Sequence, residues 1–317
     1  MAEEKRYDVV IVGGGPGGLC AGLYVGRGNR KVVCLEKYLP GGQIALTGEV
    51  EDYIGFEHIA GSELAEKFAN HAKKFGLEIE MEEVVEISVD GDDRVARCAS
   101  GNVYRGHALI ISTGGSPVKL GVPGEEKYSG KGVSYCAICD GAFFKDKVIA
   151  VVGGGDSAVE EGVYLTKYAS KVYIIHRRDQ LRAQKIVQQR AFDNPKVEFI
   201  WDTVVESING DETRVTDLTL RNVKTNETST LEVGAIFPYI GFHPNVDMIK
   251  VPIKQDEGGY IITDYRMETS VKGIFACGDV RSQLVRQVTN AVGDGTTAAV
   301  AAEKYIEELE DKLAGRA

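Results

Sequence analysis

The chain has 317 residues, a length that predicts two domains of ordinary size. Hydrophobic residues make up 43% of the sequence and charged residues 26%, which is typical of a soluble globular protein. The formal net charge of −10 argues against nucleic acid or an anionic membrane as the main partner. We expect no membrane span, because the uncharged run 9–26 is interrupted by Pro16 and by several glycines.

The first elements of the chain are repeated later in the sequence. The segment VVIVGGGPGG begins at Val9 and IAVVGGGDSA begins at Ile149, and the two copies align without a gap at an offset of 140 residues (149 − 9). Each copy has the pattern of a buried strand, a glycine turn, an amphipathic helix and a second strand. The sequence therefore predicts an α/β protein with two Rossmann-like dinucleotide-binding domains.

Each glycine turn has the G-x-G-x-x-G spacing that brings backbone close to a pyrophosphate. The first glycine bends the chain, the second leaves room for the phosphates, and the third small residue lets helix and strand pack. One such pattern alone is weak, but two copies in register predict two nucleotide sites. The predicted contacts are Gly13, Gly15 and Gly18 in the first copy and Gly153, Gly155 and Ala158 in the second.

The end of the second strand distinguishes the two nucleotides. In the first copy it carries Glu36, whose carboxylate can accept hydrogen bonds from ribose hydroxyls. The matching position in the second copy is His176, followed by Arg177 and Arg178, with Arg182 one turn on. Arginines bind a 2′-phosphate that a carboxylate would repel. We therefore predict FAD in the first site and NADPH in the second.

The stretch VSYCAICDGAF holds Cys136 and Cys139, with Asp140 directly after them. A structural zinc site needs about four ligands, and no second cysteine or histidine pair completes one, so we expect no metal. A structural disulfide across so short a loop would add little stability. A redox dithiol beside a flavin is therefore favoured. Asp140 is either a turn residue or a general acid–base, and the residues alone leave both roles open.

Six cysteines in a chain of this length do not make a disulfide scaffold, so we expect a cytoplasmic protein with mostly reduced thiols. The cysteines outside the pair are scattered singly in apolar segments. We expect them to be buried small side chains. They are Cys20, Cys34, Cys98 and Cys277.

Together these motifs resemble bacterial low-molecular-weight thioredoxin reductases. The similarity extends from about Tyr7 to about Ile306 and includes GGGPGG, GGQIALTGEVEDYIGF, CAICD, GGGDSAVEE, HRRDQLRA and GIFACGDV. The resemblance implies an NADPH-binding domain at 119–245 inserted into a discontinuous FAD-binding domain at 1–118 and 246–317. It also implies a homodimer, and crossover strands at LGVPGEE and IGFHPN that act as hinges for domain rotation.

The resemblance further assigns roles to single residues. Cys139 would lie next to the flavin and receive its electrons, Cys136 would attack the disulfide of thioredoxin, and Asp140 would handle the proton. Two alternatives remain open: a related flavin disulfide reductase with another electron donor or another small redox-protein partner, and a flavin-bound redox sensor without turnover. Additional FAD contacts implied by the resemblance are Gly42, Gln43, Asp279, Arg286 and Gln287.

Overall fold

The computed structural model describes residues 2–47 and 49–315. The chain divides into two compact units: the first unit comprises Met1–Ser116 and His243–Ala317, and the second comprises Pro117–Phe242. These bounds lie two residues (118 − 116) and three residues (245 − 242) from the predicted domain boundaries. Which nucleotide each unit binds stays a prediction.

Helices alternate with parallel strands in the two repeats, whereas elsewhere several strands follow one another without a helix. The helices are α1 (Pro16–Arg27), α2 (Gly61–Lys74), α3 (Ala137–Asp140), α4 (Asp156–Leu165), α5 (Lys185–Phe192) and α6 (Val288–Leu313). Short 3-10 helices are found at Gly42–Leu46, Gly141–Phe144 and Gly278–Val280. The strands are β1 (Glu4–Val12), β2 (Val32–Glu36), β3 (Glu49–Val50), β4 (Ile59–Ala60), β5 (Glu78–Met81), β6 (Val84–Asp90), β7 (Asp93–Cys98), β8 (Val103–Ile111), β9 (Gly115–Pro117), β10 (Val148–Gly153), β11 (Lys171–Ile175), β12 (Val197–Ile200), β13 (Thr203–Gly210), β14 (Val215–Asn222), β15 (Thr228–Glu232), β16 (Ala235–Tyr239), β17 (Phe242–Pro244) and β18 (Ile274–Ala276).

The first unit is built on a seven-stranded sheet in the order β5-β2-β1-β8-β7-β6, with β18 also pairing with β8. Strands β1, β2, β8 and β18 run parallel, whereas β6 and β7 add an antiparallel end. Val9 and Ile11 enter the hydrophobic core on one face of the sheet, and Val10 and Val12 enter the core on the other. Burial on both faces explains why the last part of β1, Val9–Val12, is a continuous apolar run.

The second unit repeats this arrangement on a smaller scale. Its parallel sheet has the order β12-β11-β10-β16, and β13, β14 and β15 form a separate antiparallel sheet. Ile149 and Val151 pack in one core, and Ala150 and Val152 in another. The predicted α/β class is confirmed, and the repeat occurs as β1–α1–β2 and β10–α4–β11.

The chain crosses between the two units at β9 and β17, and these strands pair with each other. The predicted strand at IGFHPN contains β17, but the predicted strand at LGVPGEE is wrong, since that segment forms a turn. The amides of Leu120 and Gly121 donate to the carboxylate of Glu125 at 2.8 and 2.7 Å, so a side chain satisfies them in place of a strand partner. Over the described ranges, no helix combines the length and the apolar character that a bilayer crossing needs.

Candidate nucleotide and disulfide sites

The first glycine turn joins β1 to α1 and requires glycine at two of the predicted positions. Gly13 has φ of 101°, and a Cβ there would overlap the backbone of Ser112. A Cβ at Gly18 would overlap the carbonyl oxygen of Gly13. A Cβ added to Gly15, the N-cap of α1, would have no atom within 4 Å. The turn therefore leaves space for a pyrophosphate at the positive end of the helix.

Glu36 ends β2 and lies buried beside this turn, with 8% of its surface exposed. Its Oε2 accepts the N–H of Gly14 at 2.6 Å, and its Oε1 accepts the N–H of Tyr38 at 2.8 Å. A carboxylate has about four acceptor positions, so both oxygens can still accept a ribose hydroxyl. Glu36 thus orders the turn, and its remaining lone pairs fit the predicted ribose contact.

Gly41 and Gly42, at the start of the first 3-10 helix, lie against the first glycine turn. The N–H of Gly41 donates to the carbonyl oxygen of Gly14 at 2.8 Å. Gly42 has φ of 58°, and a Cβ there would lie 3.2 Å from the Cα of Gly15. The structure therefore brings Gly42 to the first turn, while the side chain of Gln43 donates to the carbonyl of Gly115 at 3.4 Å.

The three remaining predicted FAD residues lie in the last part of the first unit. Asp279 follows β18, and burial raises the pKa of its carboxyl group above the usual value, with the nearby charge of Arg286 acting in the opposite direction. No residue in the described ranges donates a hydrogen bond to the Asp279 side chain. Arg286 is exposed and lies 4.0 Å from the ring centre of Tyr260, while Gln287 is the N-cap of α6. Asp279 is thus free to accept hydrogen bonds from a ligand.

An ion pair that sequence reasoning missed lies next to Asp279. Arg281 donates to Asp294 of α6 at 2.7 Å, and the side chains of the pair are only 13% and 9% exposed. Asp294 also accepts the N–H of Gly278 at 3.1 Å. The pair therefore holds the loop after β18 against α6. Its only sequence signal was an arginine directly after GDV.

The second glycine turn, between β10 and α4, has the same design as the first. Gly153 has φ of 149°, and a Cβ there would overlap the carbonyl oxygen of Tyr239 and crowd the methyl group of Ala158. Ala158 is fully buried. Around Gly155, the N-cap of α4, the position of a Cβ again has no atom within 4 Å. The space needed for a second pyrophosphate is present.

His176 follows β11 and forms the floor of this turn, since a Cβ on Gly154 would overlap its ring. Burial, followed by the charges of the nearby arginines, lowers the pKa of His176 below its usual value, against an opposing hydrogen bond with the backbone of Gln180. Its Nε2 is buried without a hydrogen-bond partner among the residues described. At neutral pH the ring is therefore uncharged.

Three exposed arginines, Arg177, Arg178 and Arg182, line a cleft of about 490 Å³. The backbone N–H of Arg182 donates to the carbonyl of Gly154 at 2.7 Å, which places the cleft beside the second glycine turn. In the part of the chain that is described, none of the three guanidinium groups has a carboxylate within 4.0 Å. The cleft thus presents unpaired positive charge, which suits a phosphate.

Cys136 and Cys139 form a disulfide, with 5.3 Å between their Cα atoms. Cys136 is half-buried at the N-cap of α3, and its Sγ accepts the N–H of Cys139 at 3.1 Å, whereas Cys139 is exposed. An N–H donated to sulfur favours the thiolate once the disulfide is reduced. Asp140 is the last residue of α3, and its N–H donates to the carbonyl of Cys136 at 3.2 Å. Its backbone therefore has the turn role, while a proton-transfer role of its side chain stays a prediction.

Three side chains that the sequence did not single out form hydrogen bonds beside the disulfide. The N–H of Ala137 donates to the hydroxyl of Tyr239 at 3.1 Å. The hydroxyl of Tyr135 donates to Glu125 at 2.5 Å. Tyr135 could have been suspected because it directly precedes Cys136, but nothing in the sequence connects Tyr239 or Glu125 with the cysteines.

The remaining cysteines are buried and free, as expected from their apolar surroundings. Burial raises the pKa of Cys98 and of Cys277 to about 12. Thiols held in this way are poor nucleophiles. The redox chemistry therefore rests on the Cys136–Cys139 pair.

The pyridine nucleotide-disulphide oxidoreductase family matches residues 7–295 of this chain. The thioredoxin reductase of Bacillus subtilis (strain 168) is 49% identical over 313 residues, which are 99% of each sequence. The chain belongs to the thioredoxin reductases of this family. The crystal structure of Lactococcus lactis thioredoxin reductase in its FR conformation superposes with a TM-score of 0.93 at 46% identity, covering 95% of this chain and 99% of that one. For T. acidophilum thioredoxin reductase the TM-score is 0.91 at 36% identity, covering 96% and 99%.

The predicted resemblance is thus confirmed, and so is the prediction that the chain is an oxidoreductase. Membership in the thioredoxin reductases implies a flavin and a pyridine nucleotide as redox groups. The residues present fit both, because each glycine turn leaves room for phosphates at a helix N-terminus. The carboxylate of Glu36 at one turn and the arginines at the other match the difference between a free and a phosphorylated ribose.

Proposed function

We propose that the chain reduces the disulfide of thioredoxin with electrons from NADPH, passed through FAD and the Cys136–Cys139 disulfide. The observation that carries the proposal is this disulfide at the start of α3, with its half-buried first sulfur accepting an amide hydrogen bond. A dithiol formed there can exchange with a disulfide of another protein.

The second unit is proposed to bind NADPH. The pyrophosphate would lie over Gly155 at the N-terminus of α4, where no atom occupies the space. The 2′-phosphate would be bound by the unpaired guanidinium groups of Arg177, Arg178 and Arg182. His176 would support the nucleotide from below, as the floor of the second glycine turn. A nucleotide without the 2′-phosphate would forgo the charge-assisted hydrogen bonds of the cleft.

The first unit is proposed to bind FAD through the turn that contains Gly13, Gly15 and Gly18, with Glu36 on a ribose. When bound, FAD supplies a carrier that accepts two electrons from a nicotinamide and gives them to a disulfide. The other proposed contacts come from two segments that converge on the same unit: Gly42, Gln43, Asp279, Arg286 and Gln287.

The exchange with thioredoxin uses the two cysteines in order. In the dithiol form, the thiolate of Cys136 attacks one sulfur of the partner disulfide; that S–S bond breaks, and the partner's released thiolate takes up a proton. The thiolate of Cys139 then attacks the Sγ of Cys136, which releases the second partner thiolate and re-forms the Cys136–Cys139 disulfide. Two electrons pass to thioredoxin, and Asp140 is proposed to exchange protons with the thiols.

The domain arrangement is also a proposal. The second unit would be the NADPH-binding domain inserted into a discontinuous FAD-binding domain, in agreement with a first unit made from both ends of the chain. A homodimer and a cytoplasmic location are proposed on the same family grounds, the latter also on the four free thiols.

The testing experiment is anaerobic addition of NADPH, and separately NADH, to the purified yellow protein while flavin absorbance is followed. Rapid bleaching by NADPH, followed by stoichiometric formation of thioredoxin thiols, is expected. Cys136→Ser should keep the bleaching but abolish thioredoxin reduction. Cys98→Ala, which removes a buried free thiol, should keep both the bleaching and the reduction of thioredoxin. Bleaching without thioredoxin reduction by the unaltered protein would favour another redox-protein partner, and preference for NADH would contradict the arginine assignment.

A further inference from the structure

Glu125 is a buried carboxylate, with 3% of its surface exposed, held entirely by hydrogen bonds. Its Oε1 accepts the N–H of Leu120 at 2.8 Å and the hydroxyl of Tyr135 at 2.5 Å, and its Oε2 accepts the N–H of Gly121 at 2.7 Å. No cation lies within ion-pair distance of Glu125 in the described ranges. A buried charge without a counter-ion depends on each of its donors, because an unpaired site costs more there than in water.

The three donors belong to two functionally different segments of the second unit. Leu120 and Gly121 follow the crossover strand β9 by three and four residues (120 − 117 and 121 − 117). Tyr135 is covalently joined to Cys136. A single carboxylate therefore links the segment where the chain enters this unit to the peptide that carries the first redox cysteine.

Other hydrogen bonds also hold the backbone around Cys136. The N–H of Cys136 donates to the hydroxyl of Ser134 at 3.1 Å, and the N–H of Ser134 donates to the carbonyl of Ile236 at 3.1 Å. Both bonds hold the main chain before and at Cys136, whereas the Tyr135 side chain extends to Glu125. Release of Tyr135 would let the Cys136 end of α3 shift, and thiol–disulfide exchange requires close in-line approach of three sulfur atoms.

We infer that Glu125 is a positioning residue for thiol–disulfide exchange at Cys136 and acts through the hydroxyl of Tyr135. The inference deepens the proposed function and rests on it, since thioredoxin is taken as the exchange partner. Glu125 itself touches no reacting sulfur. It holds Tyr135, and Tyr135 fixes the peptide on which the nucleophile sits.

The test compares Tyr135→Phe with Tyr128→Phe. Tyr128 provides a matched control, because its hydroxyl also donates one hydrogen bond, to the carbonyl of Gly210 at 2.7 Å, and it packs in the same hydrophobic core. Both substitutions remove one oxygen and keep the ring. Only Tyr135→Phe removes a donor from a buried charge next to Cys136.

Each variant is reduced with dithiothreitol, separated from the reductant, and mixed with oxidised thioredoxin. The thiols of both proteins are then trapped with a maleimide at fixed times. This readout follows the cysteines alone and needs no turnover of the nucleotide sites. Tyr135→Phe should slow the exchange by roughly ten- to a hundred-fold, because a displacement of about 1 Å costs that much in an aligned reaction. Tyr128→Phe should exchange at the rate of the unaltered protein. Reduction of each oxidised variant by dithiothreitol should be unchanged, since a small flexible dithiol can approach a displaced disulfide.

Glu125→Gln gives a second, independent variant. An amide has one acceptor oxygen and directs its NH₂ group at a donor, so at least one of the three bonds is lost. The exchange should slow in the same direction, and combining Glu125→Gln with Tyr135→Phe should slow it no further than the more severe single change.

Three results would overturn the inference: an undiminished rate in Tyr135→Phe, equal losses in the Tyr135 and Tyr128 variants, or additive losses in the double variant. Failure of the proposed function has a different signature, because then the unaltered dithiol protein would not reduce thioredoxin at all.

Discussion

Replacing the arginines of the cleft should change the choice between NADPH and NADH. Arg177 and Arg178 are exposed, come directly after His176, and have no carboxylate within 4.0 Å among the described residues. Their charge is therefore available to a 2′-phosphate and is not used to stabilise the fold. The double substitution Arg177→Ala, Arg178→Ala should weaken NADPH binding and leave NADH binding unchanged.

The magnitude follows from the number of hydrogen bonds lost. A hydrogen bond to a charged group contributes about 1.5–3 kcal/mol, and the lower value applies here because both guanidinium groups are exposed to water. One lost bond per arginine is then worth about tenfold in affinity, and two are worth roughly a hundredfold. Arg182 remains in the double variant, so some preference for NADPH should persist.

The assay is titration of each nucleotide against the purified protein, supported by Michaelis constants for NADPH and NADH. Arg214→Ala is the control, since Arg214 is an exposed cation of the same unit that lies outside the cleft. The control should lose almost no affinity for either nucleotide. A parallel loss for NADPH and NADH, or an NADPH loss in Arg214→Ala as large as in the cleft variant, would refute direct reading of the phosphate.

Other changes should act on the glycine turn, on the exchange step and on stability. Gly155→Ala should weaken NADPH binding without lowering the melting temperature, because the added Cβ would enter the open space of the nucleotide site. Gly153→Ala should lower the free energy of unfolding by about 1–3 kcal/mol, because φ at this position is 149° and the added Cβ would meet the carbonyl of Tyr239. Asp140→Asn should slow thiol–disulfide exchange with thioredoxin, and an unaltered rate in stopped-flow mixing would leave Asp140 with its turn role only. Burial, helped by the charge of Glu160, raises the pKa of Glu161 from 4.5 to about 7. The folded state then binds this proton more tightly than the unfolded state, so stability should fall by up to about 3 kcal/mol as pH rises from about 4.5 through 7. Glu161→Gln should flatten that part of the profile in denaturant titrations, and an unchanged slope would show that Glu161 does not cause it.

The nucleotide turns could be predicted because their demands on the chain are local. Gly13 and Gly153 lie where φ is positive, and the spacing to Gly18 and Ala158 follows from the first turn of one helix packed on one strand. The φ and spacing requirements involve residues within about six positions of each other, so a short motif records them, although distant Ser112 and Tyr239 also leave no room for a Cβ at Gly13 and Gly153. The Cys136–Cys139 pair is local in the same sense, since two intervening residues suffice to close the disulfide.

The side chains that hold the site residues in place could not be predicted, because their contacts depend on how distant elements pack. Tyr239 reaches the N–H of Ala137 only because β16 lies beside β10 in the sheet. Arg281 meets Asp294 because α6 packs against the loop after β18. No periodicity or spacing relates such partners, since a long separation in sequence leaves their distance free until the strands are ordered.

The segment LGVPGEE shows both the local signal in the sequence and the effect of the tertiary structure. Its glycines and proline indicated a special backbone conformation, and Gly121 and Gly124 do have positive φ. Whether that backbone became a strand or a turn was decided by the carboxylate of Glu125, which satisfies the amides of Leu120 and Gly121 once it is buried. The sequence thus determined the chemistry of this protein through local motifs, whereas burial and strand order, which belong to the tertiary structure, decided which distant side chains hold that chemistry in place.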